Sequence, residues 1–166
     1  MILKLRPIFY ILFYCQAIAF AEASQIKKAK KDYFLKVGEE IIFLKDKNGT
    51  IFELKPLRTP NSQIKGLSGI KRNQLKTNQG AIFIYPEEAP RSFWMPDTYF
   101  DLAIIFLDKN LVVKHVEKKA PAHPGRQEPP IIFRTKTVAA KYVVEIPAEN
   151  PLIFSLSSGD KFEFLE

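Results

Sequence analysis

Short runs of apolar residues separated by turn residues follow one another along most of the chain, a pattern typical of a β-rich protein. The runs 41–44 and 51–54 flank Asp46-Lys47-Asn48-Gly49, and two β-prone runs around Asn-Gly predict a hairpin. Residues 99–107 are almost continuously apolar, which predicts a strand buried on both faces. Further strands are expected over residues 81–85 (ending at Pro86), 111–116, 141–146 and 162–165.

One helix is expected, within residues 61–75. Thr-Pro-Asn-Ser at 59–62 is typical of a helix start, with Asn61 or Ser62 as the N-cap. The helix should run for about two turns, place Ile64 and Leu67 inward, and end at Gly66 or the glycine three residues later.

Residues 120–130 contain four prolines and predict an extended loop. The fold class is therefore mostly β (α+β): a small antiparallel sheet of about seven strands, closed or partly open and barrel-like.

The first 23 residues have the features of a secretory signal peptide. A basic start precedes an apolar run over residues 8–20, and Ala19-Phe20-Ala21 and Ala21-Glu22-Ala23 are both small-x-small sites. We expect export to the periplasm or the medium after cleavage near Ala21 or Ala23. An uncleaved anchor helix is the alternative, but the 13-residue run is short against the roughly 20 residues that span a bilayer. Lipidation at Cys15 is disfavoured by the bulky Tyr14 before it.

Cleavage removes the one cysteine, which excludes disulfides, cysteine–metal sites and cysteine nucleophiles from the mature chain. The expected organisation is a signal peptide (1–23), a basic leader (24–39) and one β-rich domain (40–166). The net charge of +7 favours weak contact with anionic membrane or cell-wall surfaces. Nucleic acid is not an expected partner because no binding motif is present, and a monomer is expected.

Two carboxylates interrupt apolar segments. Asp101 lies within residues 99–107 and Glu145 within residues 141–146, and a charge in a buried strand costs several kcal/mol unless it is paired or hydrogen-bonded. Each should therefore have a partner, such as Thr98, a backbone turn or one of three arginines: Arg72, Arg91 and Arg134. The two acids either form a carboxylate pair in one pocket, suited to acid–base chemistry or binding, or act as buried structural ties. We favour structural ties.

Trp94, the one tryptophan, lies in a loop before Met95-Pro96-Asp97-Thr98. Its ring either stacks on a ligand or, as we prefer, fills the core. Asp97 and Thr98 are either turn caps, the default, or ligand contacts. His115 and His123 lack the neighbours that a zinc site requires, and we expect no metal and no cofactor. No nucleophile elbow or phosphate-binding loop is present in the sequence.

Several segments resemble a known family, the bacterial domain of unknown function 192. They are Lys65-Gly66-Leu67-Ser68-Gly69, Gly80-Ala81-Ile82-Phe83, Phe93-Trp94-Met95-Pro96-Asp97-Thr98, Tyr142-Val143-Val144-Glu145-Ile146 and Gly159-Asp160. The resemblance covers about residues 40–166 and implies a compact, mostly β domain with no established activity.

There are departures from the family pattern. Ser68 replaces a methionine of the more common members, and Ile70 stands at the position of an arginine for which Arg72 is the candidate substitute. The order Asp101-Leu102 reverses the usual Leu-Asp. Glu145 and Asp160 match the family pattern.

Three functions remain open: an envelope domain that binds a small polar or saccharide-like ligand, a hydrolase-type enzyme that uses a carboxylate pair, and an accessory protein that interacts with an envelope partner or is purely structural, whose hallmark residues only build the fold. Binding or an accessory role is preferred to catalysis. The binding hypothesis predicts a partly exposed Trp94 beside a polar cleft, and the enzyme hypothesis requires two acids that face one cleft. The candidate ligand-binding residues are Arg72, Trp94, Asp97, Thr98, Asp101, Glu145 and Asp160.

Overall fold

A computed structural model describes residues 40–165, and the expectations for residues 1–39 lie outside them. The described chain forms seven strands and one α-helix. In chain order the elements are β1 (Ile42–Lys45), β2 (Ile51–Leu57), α1 (Pro60–Lys65), β3 (Gln79–Arg91), β4 (Leu102–Leu107), β5 (Val113–Ala120), β6 (Val138–Pro147) and β7 (Glu163–Leu165), with 3-10 turns at Arg72–Gln74 and Pro151–Phe154. The expected mostly β fold of about seven strands and one short helix is confirmed.

All seven strands belong to one sheet, in the order β5-β4-β6-β3-β2-β1-β7. Neighbouring strands are antiparallel except β2 and β3, which are parallel, with Leu54 opposite Gly80. The sheet is therefore mixed, which corrects the expectation of a purely antiparallel one. The segment containing α1 carries the chain back, so that β3 runs in the direction of β2.

The two edges of the sheet approach each other at one end. Val112, just before β5, forms an isolated bridge with Lys161, just before β7. The backbone N–H of Phe162 donates to the carbonyl of Leu111 at 3.0 Å. These bonds make the sheet a partly open barrel, in agreement with the expected architecture.

The main hydrophobic core lies on one face of this sheet. Phe52 and Phe162 meet there edge to face, with ring centroids 5.7 Å apart. All six residues of β4 are buried, which confirms the prediction for residues 102–107. Residues 99–101 of the predicted strand precede β4, and Tyr99 is exposed. The core residues are Leu44, Phe52, Leu54, Ile82, Ala103, Ile105, Leu107, Leu111, Val113, Val144, Ile146, Ile153, Leu156 and Phe162.

The first hairpin is confirmed, whereas β3 is longer than predicted. Asp46 holds the hairpin turn by accepting hydrogen bonds from the backbone N–H groups of Asn48 at 3.0 Å and Thr50 at 2.7 Å. Strand β3 continues beyond Pro86 to Arg91, although Pro86 was expected to end it. The pairing with β6 shifts register between residues 84 and 89, so the missing N–H of the proline falls in an irregular part of the ladder.

Helix α1 begins and faces differently from the prediction. The N-cap is Thr59, not Asn61 or Ser62: Thr59 and Ser62 form a capping box, and Pro60 begins the helix. Gly66 ends it, as expected. Ile64 is 81% exposed, which corrects its predicted inward position, and Leu67 is buried but lies beyond the helix end.

Candidate binding site

A cavity of about 450 Å³ lies between α1 with the loop that follows it, the segment 92–98 and the face of the sheet opposite the main core. Since Val144 and Ile146 belong to the main core, strand alternation turns Glu145 to this second face. Phe83 of β3 and Leu102 of β4 line the cavity beside it. The lining residues are Pro60, Gln63, Ile64, Lys65, Gly66, Leu67, Ser68, Phe83, Tyr85, Ser92, Phe93, Trp94, Pro96, Thr98, Leu102 and Glu145.

Glu145 lies at the bottom of this cavity and is 5% exposed. Its carboxyl group accepts a hydrogen bond from the backbone N–H of Leu67, and its Oε2 has no hydrogen-bond partner. Burial raises the pKa of Glu145 from 4.5 to about 7, against the opposing effect of the Leu67 hydrogen bond. Buried polar groups are normally satisfied, so Oε2 is exceptional.

Gly66 allows the loop after α1 to approach this carboxyl group closely. Its φ of +49° lies in the left-handed region that favours glycine. A Cβ at this position would lie 3.0 Å from Oε2 of Glu145 and 3.2 Å from the ring of Phe83. A side chain here would therefore press on the floor of the cavity.

Aromatic side chains form much of the wall. Phe83 and Phe93 meet edge to face with centroids 4.8 Å apart. Trp94 is 49% exposed, so it is not the core plug we had preferred but a ring at the edge of the cavity. The guanidinium of Arg134 stacks on Trp94 at 4.4 Å from the ring centroid.

Tyr85 lines the cavity and contacts a cation. The guanidinium of Arg91 lies 3.8 Å from the centroid of the Tyr85 ring. Burial raises the pKa of Tyr85; the charge of Arg91 opposes this effect and the charge of Glu145 adds to it. Tyr85 is therefore electrostatically coupled to both groups.

Thr98 and Asp97 complete the neighbouring loop. Thr98 is buried, and its Oγ1 donates to the carbonyl of Pro96 at 3.3 Å. Its backbone pairs with His123. Asp97 has a φ of +54° and lines an adjoining depression that shares Trp94 with the cavity. Its carboxyl group accepts a hydrogen bond from Tyr99 and raises the pKa of that tyrosine.

Asp101 does not line this cavity. Its Oδ1 accepts a hydrogen bond from the backbone N–H of Ala122 at 2.9 Å, and its Oδ2 lies 3.4 Å from Nζ of Lys119. These contacts tie the loop after β5 to the start of β4. Asp101 is thus a structural tie, and the two acids do not form the carboxylate pair that one hypothesis required.

A family model, DUF192, described as "Uncharacterized ACR, COG1430", matches residues 42–164. The chain belongs to this family. The segments on which the resemblance to DUF192 rested come together at the cavity: residues 65–68, four of the residues between 93 and 98, and Glu145 all line it. Asp160, the other acid that matches the DUF192 pattern, does not.

Two solved structures share the fold. One is from a protein of Sinorhizobium meliloti 1021 proposed to be a transcription regulator, with a TM-score of 0.59 and 23% identity over 78% of this chain and 97% of that one. The other is a protein of unknown function from Novosphingobium aromaticivorans DSM 12444, with a TM-score of 0.58 and 26% identity over 74% of this chain and 83% of that one. No curated protein matches the chain.

Two more of the candidate ligand-binding residues, Arg72 and Asp160, lie away from the cavity. Arg72 pairs with Glu149, donates to the carbonyl of Leu75 and stacks on the Phe100 ring at 5.9 Å. Asp160 accepts hydrogen bonds from Nζ of Lys47 at 2.7 Å and the backbone N–H of Ser157 at 2.9 Å, contacts that lower its pKa. Both have structural partners. None of the three arginines expected beside Glu145 bonds to its free oxygen.

Some cavity residues were not among the candidate ligand-binding residues, although Lys65 lies in a segment that resembles DUF192. Tyr85 ends an apolar run before a proline, and Lys65 ends a short helix; neither position carries a local signal of binding. Among residues 40–165, no group of three or more His, Cys, Asp or Glu side chains is placed to hold a metal ion. The helices in this range are also too short or too polar to cross a membrane.

Proposed function

We propose that this DUF192 domain binds a small polar ligand in the Glu145 cavity and acts outside the cytoplasm. The unpartnered, buried Oε2 of Glu145, a residue of the cavity lining, carries the proposal. A buried carboxyl oxygen without a partner costs free energy in the unliganded protein, and a ligand that donates a hydrogen bond removes that cost. Export rests on the signal-peptide pattern of residues 1–23.

The mouth of the cavity supports the same function. Ile64 and Trp94 line the cavity and are exposed, so two apolar side chains lie at its mouth together with the exposed Lys65. Ligand sites typically combine apolar and aromatic walls with a few placed polar groups, in volumes of about 300–1,000 Å³. A partly exposed Trp94 beside a polar group is what the binding hypothesis predicted.

The enzyme hypothesis receives less support. Within the part of the chain described, Glu145 is the one acidic residue that lines the cavity. Its raised pKa suits a general acid, but the second carboxyl group that acid–base hydrolysis requires is absent from the lining. Binding is therefore the better account of the geometry.

A thermal-shift screen of the purified protein against sugars, amino acids, amines and cell-wall fragments tests this function. A ligand at a hundred times its Kd stabilises the native state by about 2.7 kcal/mol. We expect at least one compound to raise the Tm of the wild type and of Asp101→Asn, a carboxyl-to-amide control outside the cavity. Glu145→Gln and Trp94→Phe should lose most of the shift.

Two results would overturn the proposed function. The first is a screen in which no compound moves the wild-type Tm. The second is a compound that shifts Glu145→Gln and Trp94→Phe as much as the wild type, because its site would then lie elsewhere.

A further inference from the structure

Within the described part of the chain, the carboxyl group of Glu145 lacks a bonded cation as well as a hydrogen-bond donor to its Oε2. Burial raises the pKa of Glu145, and the hydrogen bond from the Leu67 N–H opposes this effect. Arg91 and Arg134 stack on Tyr85 and Trp94 instead. A buried carboxylate is normally paired with a cation or neutralised, and among residues 40–165 no cation bonds to Oε2 of Glu145.

The aromatic walls of the cavity can contact a cation, and two of their rings already stack on the guanidinium groups of Arg91 and Arg134. Four aromatic residues line it: Phe83, Tyr85, Phe93 and Trp94. Aromatic faces attract ammonium groups through the ring quadrupole, more strongly when the ion is desolvated. A carboxyl group at the bottom of an aromatic-walled cavity is therefore complementary to a protonated amine.

We propose, on the basis of the proposed binding function, that the ligand carries a protonated amino group that pairs with Oε2 of Glu145 and places its apolar body against the aromatic wall. A hydroxyl group would supply the missing hydrogen bond but leave the charge unbalanced. An anionic ligand would meet the carboxylate as a like charge. An ammonium group satisfies both requirements of the carboxylate.

One positive charge of the cavity lining opposes such a ligand. Lys65, the last residue of α1, lines the cavity and is exposed. Repulsion from an exposed charge is weak because solvent and salt screen it. It nevertheless provides a test of ligand charge: removing Lys65 should strengthen the binding of a cation and weaken the binding of an anion.

Pairs of probes that share a ring but differ in charge isolate the effect of the ligand's charge on its affinity. We would titrate the purified protein with cyclohexylammonium and cyclohexanol, and with benzylammonium and benzyl alcohol, and measure Kd by NMR. At pH 8 each ammonium probe should bind about tenfold more tightly than its alcohol, since a charge-assisted hydrogen bond replaces a neutral one. Lys65→Gln should tighten ammonium binding roughly twofold at low salt, and Asp101→Asn should leave it unchanged.

The pH dependence gives a second measurement. Between pH 8 and pH 6 the affinity for the ammonium probes should fall about tenfold, because a proton on Glu145, whose pKa is about 7, competes with the ligand. The titratable groups that line the cavity beside Glu145 are Lys65 of α1 and Tyr85 of β3, and burial raises the pKa of Tyr85 from its ordinary value of 10.0, well above this range. Glu145→Gln should remove both the pH dependence and the preference for ammonium.

The outcomes separate this inference from the proposed function. If the alcohols bind as tightly as the ammonium probes, or if Lys65→Gln weakens ammonium binding, the inference that the ligand is a cation is wrong. The proposed binding function would still stand. If neither these probes nor the compounds of the thermal-shift screen bind the wild type, the binding function itself fails. A preference for ammonium that persists in Glu145→Gln would place the cation elsewhere and overturn the inference.

Discussion

The carboxyl group of Glu145 makes folding depend on pH in an unusual direction. Most acids in proteins have a lowered pKa and stabilise the native state at neutral pH, whereas burial raises the pKa of Glu145. The unfolded chain then releases this proton at a lower pH than the native protein does. The stability contributed by Glu145 is complete below pH 4.5 and is lost as the pH rises through 7.

We therefore expect Glu145→Gln to be more stable than the wild type at pH 8 and nearly equal to it at pH 4.5. A pKa that rises from 4.5 to about 7 corresponds to roughly 3 kcal/mol at high pH, since one unit is about 1.36 kcal/mol. Urea unfolding across this pH range measures the difference. A variant less stable than the wild type at pH 8 would show that the ionised carboxylate is a structural tie.

The sequence could identify these acids but could not separate their roles. Asp101 and Glu145 have similar apolar neighbours along the chain. Their difference comes from segments distant in sequence: Lys119 and Ala122 bond to Asp101, whereas the loop after α1 supplies a single N–H to Glu145. The local pattern predicted that both acids are buried, but only Glu145 is, whereas Asp101 precedes β4 and is partly exposed. Partners brought by the fold decide whether each acid is satisfied.

At the scale of elements, the pairing of β3 with β6 depends on Gly80. Ala81 pairs with Glu145 in this ladder, and a Cβ on Gly80 would lie 1.9 Å from the backbone carbonyl oxygen of Glu145. Backbone cannot move aside as a flexible side chain can, so the strands would have to separate. Gly80 therefore keeps β6, and with it the cavity floor, in place.

Gly80→Ala should destabilise the protein by more than about 3 kcal/mol, in the range of severe overpacking. Gly49→Ala is the matched control: it has no atom within 4 Å of its added Cβ but has a φ of +82°, so it should cost about 1 kcal/mol from backbone strain. Denaturant midpoints with unchanged m-values would check both. Equal costs for the two substitutions would contradict the close approach of β3 and β6.

Local sequence signals predicted well where strands and the helix form, but predicted poorly which elements they pair with or pack against. Asn48-Gly49 defined the first hairpin because its turn chemistry is contained in adjacent residues. The parallel pairing of β2 with β3 depends on how residues 58–78 cross between the strands, which no short motif specifies. Ile64 faces outward for a related reason: α1 covers a cavity here, where the prediction assumed packed core.

At the scale of the whole molecule, the fold class and the family followed from residues spread along the chain, and the structure brought together the segments that carried the family resemblance. Trp94, Thr98 and Glu145 meet at one cavity, whereas Arg72, Asp101 and Asp160 do not line it. Sequence spacing cannot decide this, because the cavity draws on residues from 60 to 145. The proposed place of action, by contrast, rests on the sequence pattern of residues 1–23 alone.

Export gives a prediction that one substitution can test. The two small-x-small sites, Ala19-Phe20-Ala21 and Ala21-Glu22-Ala23, share Ala21, and a signal peptidase requires small residues at these positions. Ala21→Phe should therefore block cleavage at both sites, while Ala29→Phe in the basic leader should be processed normally. Intact mass spectrometry of fractionated bacterial cells expressing the full chain reads out the result.

The wild type and Ala29→Phe should appear outside the cytoplasm with Glu22 or Ser24 as the first residue, and Ala21→Phe as an uncleaved precursor in the membrane fraction. A wild type that stays full length in the membrane would establish an anchor in place of a signal peptide. A mature chain that begins at a lipid-modified Cys15 would establish a lipoprotein. A full-length wild type in the cytoplasm would refute export and confine the search for an amine ligand to the cell interior.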